Sequence, residues 1–283
     1  MPAHPAIPPA IPTATCISVI IVSYNVADRL ADCLASLPRD ADITVVDNAS
    51  TDASVDLVRR QFPWVRLIAQ AENLGFSQAV NRGVAASCGG ILLILNPDAE
   101  LPSGGLDALR GALLARPESW ALGPRQVDAE GHLQLSWGWR PSLAGELWRR
   151  TLQRRLDRGQ HGVGRWLDRR MASCQPVAWM AGSCLLVWRW AFERVGGFDE
   201  RYFLYFEDID FCLRLRAAGG SVLYEPAVTV LHHRGQSAAT APGPAAAAYR
   251  RSQLLFWAWH RGPWMAALVG GYLAVSGRRP PVD

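Results

Sequence analysis

Residues 17–47 read ISVIIVSYNVADRLADCLASLPRDADITVVD, and this stretch decides the fold class. ISVIIVS at 17–23 is a β-branched apolar run, too short for a lone helix and suited to a central parallel strand covered on both faces. The spacing of Leu30, Leu34 and Leu37 predicts a helix over 27–37, which Pro38 stops ahead of a second strand at 43–46. That is one β-α-β unit. Working outward, a helix at about 53–61, a strand near 65–68, a helix near 76–86 and the strand ILLIL at 91–95 continue the alternation. The pattern predicts an α/β fold with a doubly wound, mostly parallel central sheet flanked by helices. Ligands of such sheets lie beyond the carboxyl ends of the strands.

The second half is less regular. An Arg-rich helical insertion at 140–170 precedes two short strands around 177–180 and 183–187, and GGFDERYFLYFEDIDFCLRL follows at 196–215. Its acidic cluster opens a helix over 207–218 that runs into Gly219 and Gly220, before strands near 221–224 and 228–232. The organisation expected is a disordered tail at 1–15, one α/β domain over 16–237 and a helical C-terminal segment over 238–283. Within that last segment, 238–248 reads as an Ala/Pro/Gly linker. Residues 249–279 mix aromatic and aliphatic side chains between arginines, which fits a helix that docks on the domain or lies at a membrane surface. The apolar run at 263–276 is too short for a membrane span.

Composition narrows the function classes. Hydrophobic residues make up 49% and charged ones 19% of 283 residues, so the chain can bury one sizeable core around one active site. Six cysteines at 16, 33, 88, 174, 184 and 212 form no CxxC pair, which argues against a zinc site or a disulfide framework. The opening MPAHPAIPPAIPTAT lacks the basic start and apolar centre of a signal peptide, so a cytoplasmic protein is expected. Residues 140–170 hold nine arginines against three acids, a surplus of six that exceeds the net +4 of the whole chain and leaves the remainder slightly acidic. Such a segment suits anionic lipid or a diphosphate-bearing acceptor, the alternative being a solvated helical face. Nucleic acid is not the expected partner, because few aromatics interleave the basic patch.

The residues just past the strands are polar. Ser23, Tyr24, Asn25 and Asp47 are candidates to hydrogen-bond a base and ribose, although Asp and Ser at such places also cap helices. Asn73, Gly75 and Asn81 bracket a helix start where backbone N–H groups approach phosphate or ribose. Asn96-Pro97-Asp98 follows the buried strand ILLIL, and Asp98 is the leading metal ligand, with a turn residue as the alternative. His232, ending a predicted strand, is the second; an Asp plus His pair leans toward Mn2+ without excluding Mg2+. In Glu207-Asp208-Ile209-Asp210 the carboxylates suit a helix start, yet the neighbouring FLYF would desolvate one enough to serve as a base, and Asp208 is the candidate.

Taken together, SVIIVSYN, VVDNASTD, NLGFSQAVNRG, LNPDAE, MAGSCLLV, FERVGGFDERYFLYFEDIDFCLRL and HHRGQS, in that order, resemble family-2 glycosyltransferases, especially bacterial rhamnosyltransferase-like members, over about 17–260. The resemblance implies a GT-A fold, a nucleotide-diphosphate sugar as donor, a divalent metal and inversion at the anomeric carbon. It implies that Asp47 is the nucleotide-binding acid, that Asn96-Pro97-Asp98 stands in place of the DxD metal motif, and that Asp208 is the catalytic base. His232 would complete the metal and diphosphate site, while Trp179, Met180, Ala181, Gly182 and Glu207 would line the sugar or acceptor pocket. One departure is that Asn96 replaces the first acid of the motif, which lowers the charge at the metal. Rhamnose from dTDP-rhamnose is the lead donor. The implied acceptor is a hydroxyl of a glycan or lipid-linked glycan in cell-surface polysaccharide synthesis, at the inner face of the cytoplasmic membrane. Two rivals are weighed. A nucleotidyltransferase would need a Lys-containing phosphate loop, and the chain has no lysine. A catalytically silent glycan- or partner-binding module is opposed by the presence of Asp98, Asp208 and His232.

Overall fold

A computed structural model describes residues 15–233 and 242–275. The first half alternates as its sequence predicts: β1 (Ile17–Ser23), α1 (Ala27–Ala35), β2 (Asp42–Asp47), α2 (Ser54–Gln61), β3 (Arg66–Ala69), α3 (Phe76–Ala85) and β4 (Ile91–Leu95). Every residue of β1 and β4 is buried, as continuous apolar runs covered on both faces must be. Helix α1 ends short of Pro38 because the Ser36 hydroxyl donates to the Cys33 carbonyl and accepts from the Leu101 amide, satisfying groups the helix end leaves open.

Beyond β4 come β5 (Ala99–Glu100), α4 (Gly105–Leu114), β6 (Ser119–Val127), β7 (Leu133–Gln134) and β8 (Trp137–Gly138). The Arg-rich segment forms α5 (Leu143–Asp157) and α6 (His161–Arg170). Then follow β9 (Gln175–Pro176), β10 (Trp179–Met180), β11 (Cys184–Trp188), α7 (Arg189–Arg194), α8 (Glu207–Ala217), β12 (Ser221–His232), α9 (Pro242–Arg261) and α10 (Pro263–Val275).

The main sheet runs β3-β2-β1-β4-β11-β6-β12-β5, with β7 on β6 and β9 on β12; β8 and β10 pair separately. Strands β3, β2, β1 and β4 are parallel, as are β6 and β12, while β11 is antiparallel to both β4 and β6. The chain winds outward from β1 through β2 to β3 and returns to β4 on its other side. The crevice beyond β1 and β4 is therefore the switch point where such sheets bind ligands.

Three expectations are corrected. Residues 101–139 carried no assigned elements, yet β6 is central. Gly123 and Pro124 in its middle mask the strand signal. Pro124 sits where β12 bulges between Glu225 and Thr229, so its missing N–H breaks no regular ladder. The two strands expected at 221–224 and 228–232 are one strand carrying that bulge. The expected linker is helical from Pro242 onward, since prolines are tolerated in a first turn and Ala245 to Ala248 favour helix. The tail at 1–14, residues 234–241 with the rest of that linker, and 276–283 lie outside the described residues.

Helices α9 and α10 form a hairpin hinged at Gly262, whose φ of 91° suits glycine. Phe256, Trp257, Val269 and Leu273 of the hairpin bury Tyr202 and Phe206, the residues leading into α8. His260 Nε2 lies 2.8 Å from Asp210 Oδ1 and Ser252 Oγ donates to the Leu204 carbonyl, so the hairpin is docked on the domain. Trp264, Leu268 and Tyr272 of the hairpin are exposed, as is Trp259, whose ring stacks on Arg201. Among the described residues no helix is long and apolar enough to cross a membrane.

Candidate active site

At the ends of β1 and β2, Ser23 and Asp47 are parallel-strand partners, and both are buried. Asp47 Oδ2 accepts from the Ser50 amide at 2.9 Å, but Asp47 Oδ1 and Ser23 Oγ have no hydrogen-bond partner. Two adjacent orphaned oxygens at a switch point suit a ligand's hydrogen-bond donors. Asn25, in the left-handed region at φ 53°, accepts from the Thr51 amide at 2.7 Å and so joins the β1 and β2 loops. Tyr24 is half-buried beside it.

Asn48 ties this corner to the next. Its amide donates to Asn73 Oδ1 at 2.8 Å and to the Gly75 carbonyl at 3.2 Å, and its oxygen accepts from the Leu74 amide at 3.0 Å. Gly75 has φ +83°, and a Cβ there would stand 2.5 Å from the Phe203 carbonyl oxygen. Only glycine allows that approach, which the 2.7 Å bond from the Phe76 amide to Phe203 exploits. Asn81 is not brought to this group: its amide is spent on the Phe198 backbone, at 2.9 and 3.0 Å, and on Glu200.

A cleft of about 360 Å³ opens beyond β4 and β11. Asn96, His232, Trp179, Ala181, Gly182, Glu207 and Asp208 line it, which gathers most of the second group of predicted residues. Met180 does not face it; the side chain is fully buried against Gly123. The period-two alternation of a strand explains this, since neighbours of Met180 point the other way.

Asp98 lies against the same corner, buried, with Oδ1 3.3 Å from His232 Nε2. His232 Nδ1 lies 2.9 Å from Gln134 Oε1, and Gln134 Nε2 donates back to the His232 carbonyl at 2.6 Å. A ring that donates from Nδ1 to Gln134 keeps its Nε2 lone pair beside Asp98, which is the arrangement of a metal-binding histidine held by a second residue. The oxygen-plus-imidazole pair is a donor set that would suit a divalent cation. Among the described residues, the one cluster of three possible ligands lies elsewhere, at Asp128, Glu130 and His132 in the β6–β7 turn.

Two non-glycine residues in the left-handed region, Tyr205 (φ 70°) and Phe206 (φ 69°), turn the chain sharply into α8. The turn delivers Glu207 and Asp208 to the cleft. Asp208 Oδ2 accepts from the Gly182 amide at 3.0 Å and Oδ1 from the Ile209 amide at 2.8 Å. Burial raises the Asp208 carboxyl above its ordinary pKa, against the pull of those two amides and of Arg149. Glu207 is pushed up further, by burial first and by Asp208 next, and its Oε2 has no partner. Asp210, completely buried, instead pairs with Arg214 at 2.7 Å and with His260, so its work is structural.

Several lining residues were missed in the sequence: Gln134, Trp137, Trp139, Trp148, Arg149 and Tyr249. The alternation of Leu133, Leu135 and Trp137 with Gln134 and Ser136 was a readable strand signal. Tyr249 reaches the cleft from α9 through a network in which its hydroxyl donates to Glu146 Oε1 at 2.9 Å, beside Gln253 at 3.0 Å, and Arg150 completes the set.

Residues 18–173 match the family described as Glycosyl transferase family 2. The chain is 37% identical over 266 residues to the N-acetylglucosaminyl-diphospho-decaprenol L-rhamnosyltransferase of Mycobacterium tuberculosis, covering 88% of this chain and 87% of that one. It is 25% identical over 222 residues to the low-salt glycan biosynthesis hexosyltransferase Agl10 of Haloferax volcanii, covering 77% and 67%. Among solved structures, the mannosyltransferase PcManGT of Pyrobaculum calidifontis, in complex with GDP-Man and Mn2+, superposes with a TM-score of 0.56 at 22% identity, covering 93% of this chain and 76% of that one. GalNAc-T7 with UDP, GalNAc and Mn2+ gives 0.57 at 19%, covering 77% and 43%.

Proposed function

Since the chain belongs to glycosyl transferase family 2 and has the GT-A fold, we propose that it moves L-rhamnose from dTDP-rhamnose to a hydroxyl of an N-acetylglucosaminyl diphosphate lipid, in one inverting displacement. The observation that carries this is the meeting, in one cleft, of Asp208, pinned by two backbone amides, with Asn96 and with His232 of the buried Asp98–His232 pair. The sugar and the acceptor are taken from the 37% identity to the mycobacterial enzyme of that name, nearly all of which this chain spans.

Each residue has a role in the proposal. Asp47 and Ser23, with their orphaned oxygens, and Asn25 hold base and ribose. Asp98 and His232 hold a divalent cation, Mn2+ or Mg2+, with Gln134 fixing the imidazole. When bound there, the cation neutralises charge on the departing diphosphate. Asp208 takes the proton of the acceptor hydroxyl as it attacks the anomeric carbon from the side opposite the diphosphate. Trp179, Ala181, Gly182 and Glu207 bound the sugars. Gln126 Nε2, Ser136 Oγ, Trp137 Nε1 and Glu207 Oε2, all on lining residues and all buried without a partner, suit a polyhydroxylated ligand. Trp264, Leu268 and Tyr272, exposed at a spacing of four along α10, let the protein rest peripherally on the inner face of the membrane that holds a lipid-linked acceptor.

The test incubates the purified chain with a panel of nucleotide sugars and a short-chain N-acetylglucosaminyl diphosphate lipid, with Mn2+, Mg2+ or chelator. Transfer from dTDP-rhamnose that the chelator stops, giving a product inverted at the anomeric carbon, is expected. Retained configuration, or no turnover of any nucleotide sugar, refutes the proposal.

A further inference from the structure

The cleft wall built by the arginine-rich segment holds a charge with no hydrogen-bonded carboxylate among the described residues, although it acts at a distance on Asp208. Helix α5 carries two consecutive arginines with different fates. Arg150 is consumed by structure, pairing with Glu146 and donating to the Tyr249 hydroxyl at 2.7 Å. Arg149 is half-buried, lines the cleft, and has no ion-pair partner among the described residues. Its guanidinium is centred 5.5 Å from the Trp179 ring, a cation–π contact that holds it in place without neutralising it. Beside it an aromatic ramp leads outward. Trp137 is buried at 2% exposure, Trp139 stands 5.2 Å from it at 47%, and Trp148 stands 5.2 Å from Trp139 at 42%. Leu147, next to Trp148 in sequence, is more exposed still.

A fixed guanidinium next to an apolar ramp that starts in the cleft and ends in solvent matches an amphiphilic diphosphate: anion on the arginine, hydrocarbon along the tryptophans. Resting on the function proposed above, we infer that Arg149 binds the diphosphate of the lipid-linked acceptor, one sugar removed from the hydroxyl presented to Asp208, while Trp139 and Trp148 carry the first part of the lipid chain. The donor's diphosphate is served separately, at Asp98 and His232. Arg149 is thus a specificity residue for the acceptor, and the arginine surplus of the segment has a defined use at one position.

The experiment compares wild type, Arg149→Gln and Arg149→Lys on two acceptors of the same sugar and lipid, one diphosphate-linked and one a neutral glycoside. Each protein is assayed on the plateau of its own pH profile, because Arg149 also acts on Asp208. Wild type should favour the diphosphate acceptor. Arg149→Gln should lose about 10- to 100-fold in kcat/KM for that acceptor, mainly through its KM, and with it most of the preference; Arg149→Lys should recover part. Equal losses on both acceptors, as a packing role on Trp179 would give, overturn the inference. So does a rise in donor KM with either acceptor. Quenching of tryptophan fluorescence by geranyl diphosphate, with geraniol as the neutral control, reads the site without turnover. Wild type that binds the diphosphate no better than the alcohol, or Arg149→Gln that binds it as well as wild type, overturns the inference even where transfer is seen. Diphosphate binding lost in Arg149→Gln, with no transfer by wild type, supports the site and refutes the proposed reaction.

Discussion

Asp208→Asn changes one oxygen to an amide nitrogen at constant size. Both carboxylate oxygens accept a backbone N–H, Oδ2 from Gly182 and Oδ1 from Ile209, at 3.0 and 2.8 Å. The amide oxygen can keep one of these and must leave the other N–H facing NH2. A buried N–H left unpaired costs about 1–3 kcal/mol, so misplacement alone lowers the aligned population by up to roughly 150-fold. Removal of a general base costs about 10²–10⁴-fold in rate. The expected result is a fall in single-turnover transfer of about 10²–10⁴-fold, with donor affinity by calorimetry held within about threefold. A pH profile adds a second reading. Burial raises the Asp208 carboxyl, and a base works only when ionised, so the wild-type rate climbs with pH through that raised value. The residual rate of the variant should lack this acid limb. A variant within about tenfold of wild type that keeps the limb would refute Asp208 as the base.

Glu207→Gln should stabilise the fold increasingly as pH rises. The buried Glu207 carboxyl has a folded pKa raised well above its unfolded value, so its wild-type contribution is intact below about 4.3 and is lost as pH climbs through the folded pKa. Glutamine does not titrate, and a Tm difference that stays flat from about pH 4 to pH 8 would contradict the sign. Gln134→Leu removes both bonds that hold His232 and should weaken Mn2+ binding by about 10- to 100-fold, read by metal titration; unchanged affinity rules out the orienting role. Gly75→Ala forces a side chain into a left-handed position 2.5 Å from the Phe203 oxygen and should cost about 2 kcal/mol or more, measured by denaturant unfolding, and equal stability would show that the loop yields freely.

Much of the fold was legible because its information is local. The runs at 17–23 and 91–95 could be buried strands and little else, and the helical spacing between them left one way to wind the chain, so the parallel half of the sheet followed within two residues at each end. The polar residues after those strands were found by the same logic, since only strand ends at the switch point combine rigid placement with access to a ligand. The antiparallel insertion of β11 between β4 and β6, and β6 itself, were illegible, because partner choice depends on residues 64 to 97 positions away and because Gly123 and Pro124 break the local pattern. Asn81, at its expected place in α3, was drawn to the loop at 198–200 by a contact 117 positions distant, and Met180 faced inward because strand alternation puts it opposite Trp179. The sequence by itself nominated the side chains proposed to do the chemistry: Asp98, Asp208 and His232 were each named from their local surroundings. Their meeting in one cleft, the Gln134 bond on His232, and the tryptophan and arginine wall from α5 were decided only by tertiary structure, because each joins segments that share no periodicity and meet solely through packing.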